Sequence, residues 1–554
     1  KTAEVDQHEL FSGTLVVQGD GIAQVTATGI HTQFGKIGKS LESIEKNKTR
    51  LQVEVKQLIR NLFILGGFIS IGVIVAFYFT RGNFLEALLN GLAAAMALLP
   101  EEFPVVFTIF MALGAWRLTK NNILTRTPSA IETLGSATVL CSDKTGTITQ
   151  NNMEVTALYV KNQAYTKEEF LAHSDTLQEL IETLALASDI DPIDPMERAI
   201  HRVHLSKITP PEAHEIVASY PLSKACFAMT RLIKNTRTNT TTAYSKGAPE
   251  TICKLCNLSA AQQEEVITQV KDFAARGYRV LGAASCVTDK HPESQEDFPF
   301  EFKGLVAFED PIRPEVPQAI AECVAAGIQV IMITGDYPET AKSIATQIGL
   351  PHNDNVITGA ELAKLSLAEL SVKIKEIQVF ARIIPEQKLQ LIQALKANGE
   401  IVAMTGDGVN DAPALKAADI GIAMGKKGTD VARESSALVL LDDNFASIVS
   451  AIRSGRRILD NLQKAMFYII AIHIPIIGLV LLPSFLAALP ILLMPLHIVF
   501  MELIIDPVCS IAFESEREEK GIMNRPPRNV NARFFGIKKI IHSLFVGLLL
   551  LGVV

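Results

Sequence analysis

The chain has 554 residues, a formal net charge of −7 and a mean hydropathy of +0.25. That length predicts several domains, and the mild acidity argues against a nucleic-acid partner. Seven cysteines are scattered along the sequence, and Cys253 and Cys256 form one C-x-x-C motif with no second pair. We therefore expect reduced thiols in a cytosolic setting and no zinc site.

The N-terminal region, residues 1–35, alternates apolar and polar residues with glycine breaks, a pattern typical of short strands. Residues 38–40 read Gly-Lys-Ser, which is the end of a P-loop motif. The first glycine of that motif would stand at position 33, which is Gln33, so the sequence does not predict a P-loop. Residues 36–61 are instead predicted to form a turn and a charged stalk helix.

Long apolar runs predict that the chain crosses a membrane. Residues 62–80 and 465–501 carry no charge, and residues 88–116 are apolar except for Glu101 and Glu102. Because a span needs about 20 residues, we expect membrane hairpins over 62–116 and 456–514, a cytoplasmic loop over 515–539 and the start of a further span over 540–554. Basic residues flank the spans on one side, which places residues 118–460 in the cytoplasm.

The cytoplasmic part shows two compositions. Residues 117–152 and 304–455 alternate apolar strands, such as 329–333, 379–381 and 401–404, with helical patterns. This alternation predicts a doubly wound parallel sheet. Residues 153–303 are more polar and interrupt the pattern, so we expect an inserted domain there.

Three acidic clusters follow predicted strands of this sheet. Residues 143–149 read Asp-Lys-Thr-Gly-Thr-Ile-Thr after the apolar run 137–140, residues 334–336 read Thr-Gly-Asp, and residues 405–411 read Thr-Gly-Asp-Gly-Val-Asn-Asp. Because the carboxyl ends of parallel strands share one edge of a sheet, we expect these clusters to converge. A carboxylate at that edge, Asp143, can attack a phosphoryl group and form an aspartyl phosphate.

The run at 143–149 resembles the phosphorylation motif of P-type ATPases, ion pumps that pass through an aspartyl phosphate. The resemblance implies a haloacid dehalogenase-like doubly wound sheet as phosphorylation domain and an inserted α+β nucleotide-binding domain over 153–303. It also implies a remnant β-rich actuator domain over 1–35 and membrane hairpins that correspond to spans 3–4 and 5–6. The chain is expected to be a fragment that lacks the start of the actuator domain and the last membrane helices.

The same resemblance implies roles at the phosphorylation site. Asp143 would attack, Lys388 would neutralise developing charge, and the main chain of Thr145 with Asp407 would hold Mg²⁺. Thr145 also stands where phosphatases of this fold have a second acid, which favours a phosphoenzyme that survives. The expected catalytic residues are Asp143, Lys144, Thr145, Thr334, Gly335, Asp336, Lys388 and Asn410, and the expected Mg²⁺ ligands are Asp143, Thr145, Asp407 and Asp411.

Several segments resemble the ATP-binding motifs of the family. Lys246 begins Lys-Gly-Ala-Pro-Glu, Glu197 ends Asp-Pro-Met-Glu, and Arg279 lies in Arg-Gly-Tyr-Arg-Val-Leu. We expect these three to converge on one cleft. Leu222 stands where an adenine-stacking aromatic is usual, so Leu222, Phe227 or Tyr220 is left open for that role. The expected ATP-binding residues are Glu197, Leu222, Phe227, Lys246, Gly247, Arg279 and Arg382, and Asp310 and Arg313 match a hinge motif.

Acidic residues inside predicted spans are functional candidates, because burying a charge in a bilayer is costly. Residues 100–104 resemble the Pro-Glu-Gly-Leu-Pro of calcium-type pumps, and the expected ligands of the transported cation are Glu101, Glu502, Asp506 and His473. Ile476 and Ile505 replace ligands of the family's second site, so one ion is expected. Oxygen ligands favour Ca²⁺ or Mn²⁺. Glu102 has no counterpart in the family motif.

These features predict an ATP-driven cation transporter in the plasma membrane that moves the divalent cation Ca²⁺, with its catalytic domains in the cytoplasm. Its expected partners are ATP, Mg²⁺, a divalent cation and the lipid bilayer, with no nucleic acid and no obligatory protein partner. Transport of Mn²⁺ or H⁺ is the alternative. A soluble phosphatase, a lipid-translocating relative and a non-catalytic membrane regulator fit the spans, the intramembrane acids or Thr145 less well.

Overall fold

The computed structural model describes Leu10 and residues 22–32, 50–99, 102–172, 174–192, 194–205, 214–223, 226–352, 354–486, 488–529 and 534–554. Most of the predicted actuator remnant lies outside these residues, and so do the first part of the predicted stalk helix, Pro100 and Glu101. Within the last helices the side chains of residues 505–507, 509 and 510 are also outside the description, Asp506 among them.

Strands and helices alternate along most of the described chain. The strands are β1 Ile123–Thr125, β2 Val139–Asp143, β3 Glu154–Val160, β4 Gln163–Thr166, β5 His214–Tyr220, β6 Ala228–Asn235, β7 Thr241–Gly247, β8 Arg279–Val287, β9 Glu301–Glu309, β10 Gln329–Ile333, β11 Val356–Thr358, β12 Val379–Ala381, β13 Val402–Gly406, β14 Ile420–Met424 and β15 Leu438–Leu440.

The α-helices connect these strands or extend away from them. They are α1 Arg50–Arg81, α2 Phe84–Leu98, α3 Glu102–Lys120, α4 Ser129–Gly135, α5 Lys167–Ala172, α6 Ser174–Leu186, α7 Pro195–Leu205, α8 Pro249–Leu255, α9 Ala260–Ala275, α10 Val316–Ala325, α11 Pro338–Gln347, α12 Gly359–Leu362, α13 Leu367–Lys373, α14 Pro385–Ala397, α15 Ala412–Ala417, α16 Asp430–Ser435, α17 Phe445–Phe485, α18 Pro495–Phe500, α19 Asp506–Glu514 and α20 Ile537–Val553.

The larger described sheet has the strand order β1-β15-β14-β13-β2-β10-β12-β11. All its pairs are parallel except β1 with β15. Strand β2 lies between β10 and β13, and its register continues to the pair of Ile333 with Asp143. Asp143 is therefore the last residue of the strand, whereas the sequence predicted the apolar run to end at Leu140. The doubly wound fold class is confirmed.

A second described sheet is antiparallel, with the order β4-β3-β9-β8-β7-β6-β5. All its strands fall between Glu154 and Glu309, the part of the chain that interrupts the parallel pattern. Helices α6 and α7 cover one apolar cluster on this sheet, with Leu180 and Phe308 in its centre. The inserted segment thus has its own core.

Within the described residues three helical stretches are long and apolar enough to cross a membrane: Leu51–Arg81, Phe84–Lys120 and Phe445–Phe485. The stretch Phe84–Lys120 comprises α2, which ends at Leu98, and α3, which begins at Glu102. Helix α1 runs unbroken from Arg50 to Arg81, so the described part of the predicted stalk and the first span form one helix. Helix α17 has 41 residues. At 1.5 Å per residue it is about 60 Å long.

Helices α4 and α17 meet backbone to backbone. A Cβ atom on Gly135 would lie 2.6 Å from the carbonyl carbon of Gly455, and one on Gly455 would lie 2.8 Å from the nitrogen of Gly135. Around this contact Ile131, Leu134 and Ile452 are fully buried. The long helix is therefore attached directly to the parallel sheet through α4.

Replacing Gly455 with alanine should destabilise the protein, because the added methyl group would overlap the main chain of α4. We expect a loss of about 1–3 kcal/mol in the free energy of unfolding, the usual cost of overpacking. Thermal unfolding of the purified protein measures it. Gly72→Ala is the matched control, since a Cβ there meets nothing within 4 Å. Equal unfolding temperatures for the two variants would contradict the close approach.

Candidate functional site

The predicted acidic clusters meet at the carboxyl edge of the parallel sheet. Lys388, in the first turn of α14, lies with its Nζ 2.5 Å from Asp143 Oδ2 and 2.7 Å from Asp411 Oδ1. Helix α14 starts at Pro385, whose fixed φ suits the first helical position and sets where Lys388 projects. The structure thus brings together Asp143, Asp411 and Lys388 from three distant segments.

The electrostatics of this edge are dominated by crowded carboxylates. Burial raises the pKa of Asp143, as does Asp411, while Lys388 opposes the rise. Burial, Asp143 and Asp411 raise the pKa of Asp407 to about 6. Burial by itself would lower the pKa of Lys388, but Asp143 and Asp411 outweigh it and raise that pKa. One lysine therefore partly compensates three acids, which leaves the edge attractive to a cation.

Asp411 braces the loop that carries Asp407. Its Oδ2 accepts hydrogen bonds from the main-chain nitrogens of Asp407, at 3.2 Å, and Gly408, at 3.0 Å. A Cβ on Gly406 would lie 2.6 Å from the Cβ of Asp411, so a glycine is needed there. The predicted supporting role of Asp411 agrees with these contacts.

The main chain of Asp143 is held by Thr405, a residue to which the sequence assigned no separate role. The nitrogen of Asp143 donates to Thr405 Oγ1 at 3.2 Å, and Thr405 Oγ1 donates to Ser142 Oγ at 3.3 Å. The Thr145 main chain also donates to the Asp143 carboxylate, which lowers the pKa of that group. The Asp143 backbone is therefore fixed by two neighbouring strands.

The loop after β2 is held in place by hydrogen bonds with residues outside the parallel sheet. Arg313 donates to the carbonyls of Gly146, at 3.1 Å, and Thr149, at 3.2 Å, and Asp310 accepts from Thr149 Oγ1 at 2.6 Å. Gly146 has φ +74°, and a Cβ there would lie 2.9 Å from Asp407 Oδ2. The predicted hinge residues hold the loop after β2 close to Asp407.

The Thr-Gly-Asp segment after β10 contacts both sheets. Asp336 lies 2.8 Å from Lys144 and 3.2 Å from Arg279 of β8. Burial would raise the pKa of Asp336, but Lys144 and Arg279 lower it. Thr334 is buried and accepts from the Asp336 nitrogen, whereas Gly335, Thr145 and Asn410 are exposed.

Two of the predicted ATP-binding residues form a buried ion pair. Lys246 Nζ lies 2.5 Å from Glu197 Oε1 and 2.6 Å from Ser188 Oγ. Burial lowers the pKa of Lys246, although Glu197 opposes that shift. Arg231 donates to the Ser188 carbonyl at 2.7 Å and pairs with Asp189. Ser188 and Arg231 were missed, because no motif marks them.

Arg279 does not join this pair, contrary to the expectation that it converges with Lys246 and Glu197. It begins β8, whereas Lys246 pairs with Ala283 four residues further along that strand. At about 3.4 Å per residue Arg279 and Ala283 are about 14 Å apart along the strand. Arg279 instead links the antiparallel sheet to Asp336.

Of the three candidates for adenine stacking, Tyr220 is engaged in contacts within the domain, whereas Leu222 and Phe227 are exposed. The Tyr220 hydroxyl donates to the Pro292 carbonyl at 2.7 Å, and its ring packs edge-on against Phe298. Leu222 and Phe227 are 58% and 55% exposed, on either side of a turn in which the Ser223 nitrogen donates to the Cys226 carbonyl. Arg382 lies over the Tyr337 ring, 4.4 Å from its centroid.

A carboxylate–imidazole group lies among the membrane helices. His473 Nε2 is 3.3 Å from Glu102 Oε1 and 3.9 Å from Glu502 Oε1, and all three side chains are buried. Nδ1 of His473 lies 2.8 Å from the Ile469 carbonyl, so this nitrogen carries the proton. Nε2 therefore faces the two carboxylates. The position of Glu102 could not be foreseen from the family motif, and Glu101 and the Asp506 side chain lie outside the description.

Among the described residues no three His, Cys, Asp or Glu side chains form a ready metal site. At the sheet edge this follows from Lys388, whose ammonium lies between Asp143 and Asp411. Of the acidic side chains described at this edge, Asp143 and Asp407 are placed to bind a cation. Mg²⁺ is commonly held by one or two carboxylates together with water and substrate phosphates, so the donor set fits it.

The sheet and its carboxyl edge are those of a haloacid dehalogenase-like hydrolase, and the model of that family matches residues 137–419. A second family model, the C-terminus of cation-transporting ATPases, matches residues 490–554. The calcium-transporting ATPase of Bacillus subtilis is 36% identical over 97% of this chain and 66% of its own length. Calcium-transporting ATPase 1 of Bacillus cereus is 34% identical over 98% of this chain and 64% of its own length. Calcium-transporting ATPase 1 of Saccharomyces cerevisiae is 34% identical over 94% of this chain and 59% of its own length.

The chain belongs to the P-type cation-transporting ATPases, within the haloacid dehalogenase-like class. It spans somewhat less than two thirds of the length of these relatives. The apolar helices and the family together make it a membrane protein.

Proposed function

We propose that the protein is an ATP-driven cation pump that is phosphorylated on Asp143. The observation that carries this proposal is the ion pair of Asp143 with Lys388 at the end of β2, beside Asp407. An unprotonated carboxylate held at a strand end can act as the nucleophile, and the lysine can stabilise charge on the transferred group. The names of the relatives, calcium-transporting ATPases, support the same activity.

In the proposed reaction an oxygen of Asp143 forms a bond to the γ-phosphorus of ATP while the bond from that phosphorus to the bridging oxygen breaks. ADP leaves with the electron pair, and water later hydrolyses the aspartyl phosphate. Asp143, Asp407 and the Thr145 carbonyl would hold Mg²⁺, which when bound neutralises phosphate charge. Lys388, Thr334 and Gly335 are proposed to contact the phosphoryl oxygens.

We propose that residues 117–152 and 310–455 are the phosphorylation domain and residues 153–309 the nucleotide-binding domain. The predicted boundary at 303 moves to the end of β9, because that strand belongs to the antiparallel sheet. Lys246 and Glu197 would form the floor of the ATP pocket, with Gly247 beside them. A Cβ on Gly247 would lie 2.4 Å from the Phe227 carbonyl, which supports close packing of the pocket wall. Leu222 and Phe227 would hold the base between them, because both are exposed beside this wall.

Replacing Lys246 with alanine should weaken ATP binding by about 1–3 kcal/mol, roughly 5- to 150-fold in Kd, because a charge-assisted hydrogen bond is lost and Glu197 stays buried. Calorimetric titration of the full-length protein with a non-hydrolysable ATP analogue measures the change. Lys254→Ala is the control, since Lys254 is largely exposed on the following helix. An unchanged affinity for Lys246→Ala would remove the lysine from the pocket.

The transported ion is proposed to be Ca²⁺, one per cycle, bound by Glu101, Glu502, Asp506 and His473. Burial of Glu502 and His473 beside a π-helical turn, Met501–Ile505, supports a site at this level of the membrane. Ile476 is buried and apolar where the family's second site has a ligand, which supports a single ion. The plasma membrane is the proposed location, with both sheets on the cytoplasmic side. Mn²⁺ and H⁺ are alternatives for the cargo.

Metal-dependent ATPase activity of the full-length protein, measured across Ca²⁺, Mn²⁺, Mg²⁺, K⁺ and pH, tests this function. We expect turnover that requires Mg²⁺ and is stimulated by Ca²⁺, then by Mn²⁺. Transport into vesicles should give one divalent ion per ATP. Two ions per ATP, or activity indifferent to every divalent ion except Mg²⁺, would contradict the proposed site.

A further inference from the structure

A basic cavity of about 840 Å³ is lined by residues of α17, by residues 525–528 and by the start of α20. Its described lining carries cationic side chains and one carboxylate: Arg456, Arg525, Arg528, Lys538, Lys539 and Asp460. We propose that this cavity binds the phosphate headgroup of an anionic phospholipid. The site is separate from the phosphorylation edge, the ATP pocket and the ion site.

The positive charge of the cavity is only partly compensated. Asp460 pairs with Arg525, and Arg456 donates to the carbonyls of Ile522, Arg525 and Ala326 at 2.8–3.0 Å. Lys539 donates to the neutral amide oxygen of Gln463 at 2.5 Å. The described lining holds five cationic side chains and one carboxylate, so it carries more positive than negative charge.

The cationic side chains that line the cavity also repel one another. Burial lowers the pKa of Lys539, and Arg528 and Arg525 lower it further, although Asp460 opposes them. Glu54 and Glu132 offset part of the charge at Arg528, but each also accepts a main-chain hydrogen bond, from Phe534 and Leu51 respectively. An anion between Arg528 and Lys539 would relieve this repulsion.

The cavity lies at the level where a membrane meets the cytoplasm. On α17 it reaches Gln463, immediately before the uncharged run that starts at Ala465, and on α20 Lys538 and Lys539 immediately precede the apolar part of the helix. Within their apolar parts α17 and α20 are in contact, because a Cβ on Gly547 would lie 2.6 Å from the Ala471 carbonyl oxygen. Basic pockets between membrane helices at the cytoplasmic boundary suit anionic headgroups.

The walls favour a lipid over free phosphate. Leu459, Pro526 and Ile537 contribute apolar surface beside the cations. A phospholipid can lay its glycerol and upper acyl carbons on these residues while its phosphate meets Arg528 and Lys539. Inorganic phosphate has no group for the apolar wall, so the combined lining indicates a lipid.

Native mass spectrometry of the full-length protein, equilibrated with equal amounts of phosphatidylglycerol and phosphatidylcholine, tests the proposal. We expect selective retention of one phosphatidylglycerol per chain. Retention should fall at least tenfold in Lys538→Gln/Lys539→Gln. The matched control is Lys56→Gln/Arg60→Gln, which removes the same charge from exposed residues of α1 at the same membrane boundary.

Equal retention of the two lipids, or equal loss in both double variants, would overturn the proposal, since either result would mean that no specific site exists. Displacement of the lipid by millimolar inorganic phosphate would assign the cavity to a free anion and overturn the lipid assignment. Binding of an ATP analogue by the Lys538→Gln/Lys539→Gln variant, measured in parallel, shows that the variant is folded. If that variant has lost ATP binding, the single variant Lys538→Gln, at an exposed residue, decides with an expected severalfold loss.

Discussion

Asp143→Asn should abolish phosphorylation from ATP and reduce turnover at least about a thousandfold, because a neutral amide oxygen is a poor nucleophile toward phosphorus. The wild-type protein should take up label from γ-phosphate in an acid-stable form that hydroxylamine releases. ATP binding should persist, since Lys246 lies in β7 of the antiparallel sheet and its partner Glu197 lies in α7. Rapid acid quenching of labelled protein is the measurement.

Asp354→Asn serves as the control for the loss of one carboxylate. Asp354 is largely exposed and pairs with Lys342 at the surface, away from the sheet edge. That variant should be labelled as strongly as the wild type. Label that persists in Asp143→Asn, with the same chemical stability, would move the nucleophile to another residue and sink the assignment.

Glu502→Gln should weaken the dependence of phosphorylation on the transported cation. Removing one ligand charge from a buried site costs about 1.5–3 kcal/mol, so the concentration of Ca²⁺ needed for half-maximal labelling from ATP should rise about 10- to 150-fold. Phosphorylation by inorganic phosphate should continue, because Asp143 and Lys388 are untouched. Labelling titrated against free Ca²⁺ gives the result.

Two further variants sharpen this experiment. Glu86→Gln removes an exposed acid from the first turn of α2 and should leave the titration unchanged. Glu102→Gln should shift it as Glu502→Gln does, because both carboxylates face the same nitrogen of His473. A normal titration for Glu502→Gln would exclude Glu502 as a ligand of the transported ion.

The features that the sequence predicted best are those that a local pattern of residues determines, such as the bounds of short strands. The strands at 329–333 and 379–381 match β10 and β12 residue for residue, because a short apolar run bounded by Gly, Asp or polar residues allows little else. The meeting of Asp143 with Asp411 also followed, since parallel strands present their carboxyl ends at one edge. Lys388, which lies on a helix, was expected there only from the resemblance to the family.

Contacts between distant segments were harder to predict. The pairing of Arg279 with Asp336 joins two sheets, and Thr405 holds Asp143 across neighbouring strands. No periodicity or motif encodes such pairs, because they depend on how separately formed elements pack. The orientation of Glu102 was equally hard to predict. The sequence shows an acidic residue within a span, but its contact is with His473 of the distant helix α17.

Because Gly135 and Gly455 are in contact, α17 can tilt as a unit about the point where it is attached to the parallel sheet. His473 lies eighteen residues beyond Gly455 on the same helix, a distance of about 27 Å at 1.5 Å per residue. A tilt of about 5° about this point of attachment would move His473 by roughly 2 Å, as much as a whole metal–ligand bond. A small rearrangement of the parallel sheet would therefore change the distance between His473 and Glu502, two of the residues proposed to bind the cation.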